Sequence, residues 1–198
     1  MENCNEITVK IKGNLEEFYK KIQCKGFQVI DKFTMEDTYL IPSELNLDEL
    51  STREIISKAV IVRVVKVINP PKNVQKITFK NKEFDELGNI TYQSKVECDI
   101  LNQEDAKKVL AAIGYKEIMK IIESDIVFEK DGFQFAVKDI ENGEKLIESE
   151  PDFNIKEIDT LEKVKLKFDE HDIPIYKDNY FVKKAELELN KILNRNFK

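Results

Sequence analysis

The sequence predicts an α+β protein rich in antiparallel strands, and three observations carry that prediction. Glu6-Ile7-Thr8-Val9-Lys10-Ile11-Lys12 and Tyr92-Gln93-Ser94-Lys95-Val96-Glu97-Cys98-Asp99-Ile100 both alternate in the way a half-buried strand does. Ala59–Ile68 is a β-branched run whose composition implies burial on both faces. Two amphipathic helices each open on Asn and close on Gly, and each follows one of the alternating strands. For the charged face of the first strand two readings stand open. It faces water across an ordinary sheet, or it lines the inside of a closed barrel that holds a ligand.

The elements follow in order. Asn14 caps a helix with Glu17 three residues on, Leu15, Phe18, Tyr19 and Ile22 form its stripe, and Gly26 ends it before Phe27. Residues 27–41 are extended, and Pro42-Ser43 breaks them. Residues 46–58 read as a short helix. Asn69-Pro70-Pro71 is a turn, and residues 76–80 and 90–100 are strands joined through Asp85-Glu86-Leu87-Gly88-Asn89. Asn102, Asp105, Gly114 and Tyr115 then repeat the Asn14–Gly26–Phe27 arrangement at the same interval, which suggests one pseudo-symmetric domain of two half-repeats over residues 1–150. Residues 118–129, 133–139 and 145–150 are strands, turning at Lys130-Asp131-Gly132 and Glu141-Asn142-Gly143. Residues 151–198 form a helical extension, with helices near 157–170 and 178–194 on either side of Pro174.

A chain of 198 residues with 41% hydrophobic and 35% charged residues buries a real core. A net charge of -6 argues against a nucleic-acid partner, and no stretch is long and apolar enough to span a membrane. The polar N-terminus lacks a signal-peptide core, so the expected location is the cytoplasm. Cys4, Cys24 and Cys98 are scattered and make no disulfide framework. His171 is the only histidine, which disfavours a zinc site or a His-based triad, and no Gly-rich phosphate loop is present.

Strand parity gathers Glu6, Glu97, Asp99, Glu123, Asp125, Glu148 and Glu150, with Asp139 near a strand end, against Lys10, Arg63, Lys80 and Lys95. Carboxylates at i and i+2 converge as hard divalent cations require, and lysine and arginine suit phosphate oxygens. Acid pairs beside bases suggest metal-assisted phosphate chemistry, although each Glu-x-Glu taken alone is more often a solvated face. Arg63 lies within the apolar run and needs an acceptor. A structural pairing with a neighbouring carboxylate is the commoner arrangement.

The order of these motifs resembles the CYTH family, the triphosphate tunnel metalloenzymes, which includes class IV adenylate cyclases, thiamine triphosphatases and inorganic triphosphatases. Over about residues 5–150, the family's opening Glu-x-Glu-x-Lys falls on Glu6, Thr8 and Lys10, and its Asp-Thr-Tyr on Asp37-Thr38-Tyr39. Its Leu-Arg-Ile-Arg strand falls on Val62-Arg63-Val64-Val65, and its Leu-Thr-Tyr-Lys on Ile77-Thr78-Phe79-Lys80. Its Arg-x-Glu-x-Glu falls on Lys95-Val96-Glu97-Cys98-Asp99, its later Asp on Asp139, and its closing Glu-Ile-Glu on Glu148-Ser149-Glu150. The resemblance implies a closed eight-stranded antiparallel barrel flanked by helices, binding a triphosphate and Mg²⁺ or Mn²⁺. It implies that Glu6, Glu148 and Glu150, with Asp139, hold one metal, and that Glu97 and Asp99 lie near a second. Arg63, Lys80 and Lys95 would contact phosphates, and Lys10 would act at the reacting phosphoryl group. The implied partner is a small phosphorylated ligand, with the C-terminal helices as the candidate contact of a homodimer.

The chain departs from the pattern at Thr8, at Val65, and at Glu123-Ser124-Asp125, where the family carries Lys-x-Arg. Like charges 4 Å apart repel by roughly 4 kcal/mol at an effective dielectric of 20. Three readings therefore remain. The chain is a metal-dependent triphosphate hydrolase, with an adenylate cyclase as its variant. It is a catalytically impaired barrel that binds a phosphorylated or cationic small ligand. Or it is an unrelated sheet domain with solvated charges.

Overall fold

The computed structural model describes residues 6–84 and 90–195, without the side chains of 81–84 and 90–93. Cys4 and the expected turn at Asp85–Asn89 lie outside the described residues. Eight strands form one sheet: β1 (Ile7–Lys10), β2 (Gln28–Pro42), β3 (Val60–Val67), β4 (Lys72–Phe84), β5 (Ile90–Asp99), β6 (Tyr115–Lys130), β7 (Phe133–Ile140) and β8 (Lys145–Ser149). Their order is β1-β8-β7-β6-β2-β3-β4-β5, and every pair is antiparallel. The fold is α+β, as expected.

The expected hydrogen-bonded closure of the barrel is absent among the described residues. β1 and β5 are the two ends of the sheet and do not pair with each other. The outer edge of β1 is occupied by chain from the C-terminal extension. Lys12 N donates to Pro174 O (2.9 Å), Tyr176 N to Lys10 O (2.9 Å), Thr8 N to Tyr180 O (3.0 Å) and Val182 N to Thr8 O (2.9 Å). The same contacts explain why the last helix starts late. Residues 178–183, expected to be helical, run along that edge, and α5 spans only Lys184–Ile192. An exposed strand edge offers unpaired N–H and C=O groups, and meeting them outweighs helix propensity over this short stretch.

The capped helices follow the sequence closely. Asn14 Oδ1 accepts from Glu17 N at the start of α1 (Leu15–Cys24), and Asn102 Oδ1 accepts from Glu104 N and Asp105 N at the start of α3 (Gln103–Ala112). Gly26 and Gly114, with φ of +88° and +92°, take the left-handed backbone that stops each helix. The expected helix at 46–58 shrinks to α2 (Thr52–Ser57), because the capping box of Ser51 with Glu54 starts it later. α4 (Leu161–Glu170) opens on Thr160. No helix among the described residues is long and apolar enough to cross a membrane.

The convex face of the sheet buries Ile7, Val9, Phe128, Phe135, Val137 and Ile147 against Phe18 and Ile22 of α1 and Phe168 of α4. α3 sets Leu110 on Leu40 and Val62. The concave face divides along its length. At one end Ile41, Ile61, Met119, Ile121, Ile140 and Leu146 pack against Ile55 of α2 and Leu189 of α5, closing that end with apolar side chains. Beyond them the concave face turns polar.

A charged chamber inside the sheet

Period-two alternation places one residue set on the concave side, and the registers align that set across strands. Thr8 stands opposite Glu148, Lys138 opposite Asp125, Asp37 opposite Arg63, and Lys80 opposite Lys95. Together they enclose a chamber. Glu6, Glu148, Glu150, Lys138, Arg63, Lys80 and Lys95 line it with charge, Arg53, Lys183, Lys184 and Glu186 also border it, and Met35, Tyr39, Ile61 and Val182 belong to its apolar wall. One chamber receives Glu6 from the segment leading into β1 and Lys95 from β5, so the sheet wraps until its two ends face each other without pairing.

Glu6, Glu148 and Glu150 offer carboxylate oxygens that all lie within 4.8 Å of one another, the one such metal-sized acidic group among the described residues. Burial pushes the Glu150 carboxyl up to about 7, helped by Glu6 and Glu148 and opposed by Lys80 and Lys95. Burial is the main cause, and the two neighbouring acids add to it.

Arg63 is held by Asp37 through two parallel bonds, Nε to Oδ1 at 2.7 Å and Nη2 to Oδ2 at 2.6 Å. Burial favours the neutral Asp37, but Arg63 outweighs it and keeps the carboxyl below the ordinary range. The buried arginine thus has the neighbouring carboxylate its position demanded, and the two N–H groups of Nη1 and the second N–H of Nη2 are not used by that pair. Lys80 makes no ion pair with another described residue. Lys95 lies 3.5 Å from Glu97 Oε2.

The remaining expected site residues are placed elsewhere. Lys10 shares the parity of Glu6 and Thr8 but lies outside the chamber lining, 3.0 Å from Glu144. Glu97 accepts from Lys76 Nζ (3.0 Å) and Thr78 Oγ1 (2.9 Å). Burial alone would raise its carboxyl, and these partners bring it below the usual range. Asp99 is exposed, opposite Lys76. The structure does not bring Glu97 and Asp99 into a metal-sized group. Asp139 sits on the other face of β7, opposite Ser124 and paired with Lys145, away from Glu148 and Glu150. Its neighbour Lys138 takes the inward position.

Lys138 is the residue the sequence reading missed. Its ammonium, 5% exposed, lies 3.2 Å from Glu123 Oε1, 3.0 Å from Asp125 Oδ2 and 3.3 Å from Glu148 Oε1. Burial opposes its charge, and the three carboxylates hold it well above the ordinary lysine range. Lys184, at the start of α5, adds bonds of 2.9 Å to both oxygens of Glu123. The two acids that replace the expected bases are therefore met by two unexpected lysines. Lys138 was findable. A two-residue Asp131-Gly132 hairpin pairs Lys130 with Phe133, and counting back along that register puts Asp125 opposite Lys138. Lys184 reaches Glu123 only through the docking of α5, which no local signal announces.

Curved around a charged chamber, the antiparallel sheet belongs to a recognisable class of folds. No protein-family model matches the chain, and no curated protein matches it by sequence. Solved structures do match in shape. PH1819 from Pyrococcus horikoshii OT3 is similar with a TM-score of 0.66 at 19% identity, covering 94% of this chain and 99% of that one. A candidate adenylate cyclase from Vibrio parahaemolyticus gives 0.57 at 11% identity, covering 98% of each chain. A candidate adenylyl cyclase from Hippeastrum, described as having a dominant triphosphatase activity, gives 0.59 at 11%, covering 99% of this chain and 98% of that one. The chain has a CYTH-like fold.

Proposed function

We propose that this protein is a divalent-metal-dependent phosphohydrolase of the CYTH type, acting on an inorganic or organic triphosphate. One observation carries the reading: the Glu6–Glu148–Glu150 cluster shares a chamber with Arg63, Lys80 and Lys95. The carboxylates fit Mg²⁺ or Mn²⁺, since three oxygen donors converge within 4.8 Å of one another. A bound ion supplies charge stabilisation at a phosphoryl oxygen and an activated water. The chain's own residues do the rest. Arg63 Nη1, Lys80 and Lys95 neutralise phosphate oxygens, and Met35, Tyr39 and Ile61 keep water from one side. No step is assigned to Lys10, which Glu144 holds. The Hippeastrum likeness, named for a triphosphatase activity, favours hydrolysis; the Vibrio likeness, named an adenylate cyclase, favours the cyclase variant, which requires cyclic AMP to appear from ATP.

A second reading, a small-ligand binding barrel without turnover, is favoured by Glu123 and Asp125 standing where phosphate-binding bases were expected. Phosphate release from tripolyphosphate, thiamine triphosphate and ATP with Mg²⁺ or Mn²⁺ separates the two. Release supports the enzyme. A raised Tm with ligand and no release at any pH selects the binder.

Metal and proton compete for the cluster. A carboxyl with a raised folded value binds its proton more tightly in the folded chain. Metal-free stability therefore falls as pH rises from the ordinary glutamate range to about 7, and then levels. Asp125, pushed up to about 6 chiefly by burial, acts in the same direction over a narrower window. The Tm increment produced by Mn²⁺ should accordingly grow between about pH 5.5 and 8. A pH-independent increment would count against metal at this cluster.

A further inference from the structure

We propose that the chamber has an organic end where α2 and α5 meet, that it selects a triphosphate carrying a flat, uncharged ring over inorganic tripolyphosphate, and that Phe181 is the residue that stacks on that ring. The inference rests on the triphosphate function proposed above and narrows it to one class of substrate.

The lining is not charged throughout. Ile56 of α2, Ala59, Ile61, Val182 and Ala185 of α5 border the same chamber and belong to one apolar cluster. Tripolyphosphate has no apolar part, and its oxygens lose water without gaining partners against such a wall. A ring gains by being buried there. Phe181 joins this end and is 48% exposed. Its backbone is nevertheless fixed. Phe181 N donates to Asn179 Oδ1 (2.8 Å), and on either side Tyr180 O and Val182 N bond to Thr8 at 3.0 and 2.9 Å. The ring is held as well, because Lys165 Nζ stands 5.2 Å from its centroid and 5.4 Å from that of Tyr180. A half-exposed ring that is already positioned offers stacking surface at little cost in entropy.

The charges at this end decide what kind of ring fits. Among the described residues that border it, Arg53 and Lys183 stand around Glu186, with Arg53 Nε at 3.4 Å and Lys183 Nζ at 4.0 Å from Glu186 Oε1. Lys184 is committed to Glu123. The Lys165 ammonium over Phe181 adds a further positive charge. A cationic ring stacked on Phe181 would meet like charge, and an uncharged ring such as a nucleobase would not. The Arg53–Glu186 pair also supplies donors and an acceptor for the edge of such a ring.

The test is calorimetric titration, with Mn²⁺ present, of tripolyphosphate, thiamine triphosphate and the β,γ-imido analogue of ATP into the full chain and its Phe181→Ala variant. The wild type should bind the ATP analogue more tightly than either of the others. Phe181→Ala should weaken the analogue by about tenfold or more, as losing a base–aromatic stack does, and leave tripolyphosphate unchanged. Phe181→Tyr should keep the wild-type order. Ala185→Leu, which fills the organic end, should reproduce the split of Phe181→Ala. An equal loss of all ligands in Phe181→Ala, or tripolyphosphate binding best to the wild type, would overturn the proposal. Thiamine triphosphate binding best would overturn the choice of an uncharged ring. The expected split without phosphate release from any substrate leaves the organic end standing and removes the hydrolase. Phosphate release with no preference among substrates does the reverse, and no binding of any ligand removes both.

Discussion

Asp37→Ala should lower the unfolding free energy by about 3–5 kcal/mol, the range found when one member of a buried ion pair is removed. Asp37 is 1% exposed and Arg63 17%, so the stranded guanidinium cannot simply turn into solvent. The cost is that of an unpaired buried charge more than of two lost hydrogen bonds. Asp37→Leu combined with Arg63→Met should therefore lose far less than the sum of the single changes, because neither charge is then left alone. Urea unfolding near neutral pH measures all of these, provided the slope with denaturant is unchanged. A single Asp37→Ala cost below about 1 kcal/mol would mean that water already reaches Arg63. The same carboxylate limits the site, since it occupies the Nε–H and one Nη2–H that a phosphate would otherwise engage.

Glu148→Gln with Glu150→Gln should have opposite effects on the two properties of the cluster. Mn²⁺ affinity should fall by at least about 100-fold, the upper end of what losing a mere supporting group costs at a metal site. Any metal-dependent phosphate release should fall with it. Metal-free stability at pH 8 should rise for Glu150→Gln alone. Its ionised carboxylate is buried beside Glu6 and Glu148, and a neutral amide removes that repulsion. Calorimetry with Mn²⁺ and thermal melts without metal read the two effects separately. A variant that loses stability and keeps its Mn²⁺ affinity would show the three acids to be structural. Glu148 carries an added effect through Lys138, so Glu150→Gln is the cleaner of the two single changes.

Local periodicity determined much of this protein. The strands at residues 7–10 and 94–99, the caps at Asn14 and Asn102, and the glycine stops are short-range, and all of them stand in the structure. That Arg63 needs a carboxylate followed from burying a charge in a β-branched run. Glu6, Glu148 and Glu150 converge, as their parity and the motif order implied. Parity alone could not choose between Lys138 and Asp139, because adjacent residues point to opposite faces and a one-residue shift exchanges them. The Asp131-Gly132 hairpin made the choice, turning Lys138 inward and Asp139 outward.

The rest depended on segments far apart in the chain. Residues 178–183 give up their helical pattern because the edge of β1 offers hydrogen-bonding groups that only tertiary structure brings near. The same occupation of β1 accompanies the lack of β1–β5 pairing. Lys184 reaches Glu123 across the fold through α5. Side-chain direction is a property of a few consecutive residues and can be read along the chain. Charge compensation depends on which strands and helices become neighbours, and here it turned an apparent excess of acid into a paired network around Lys138.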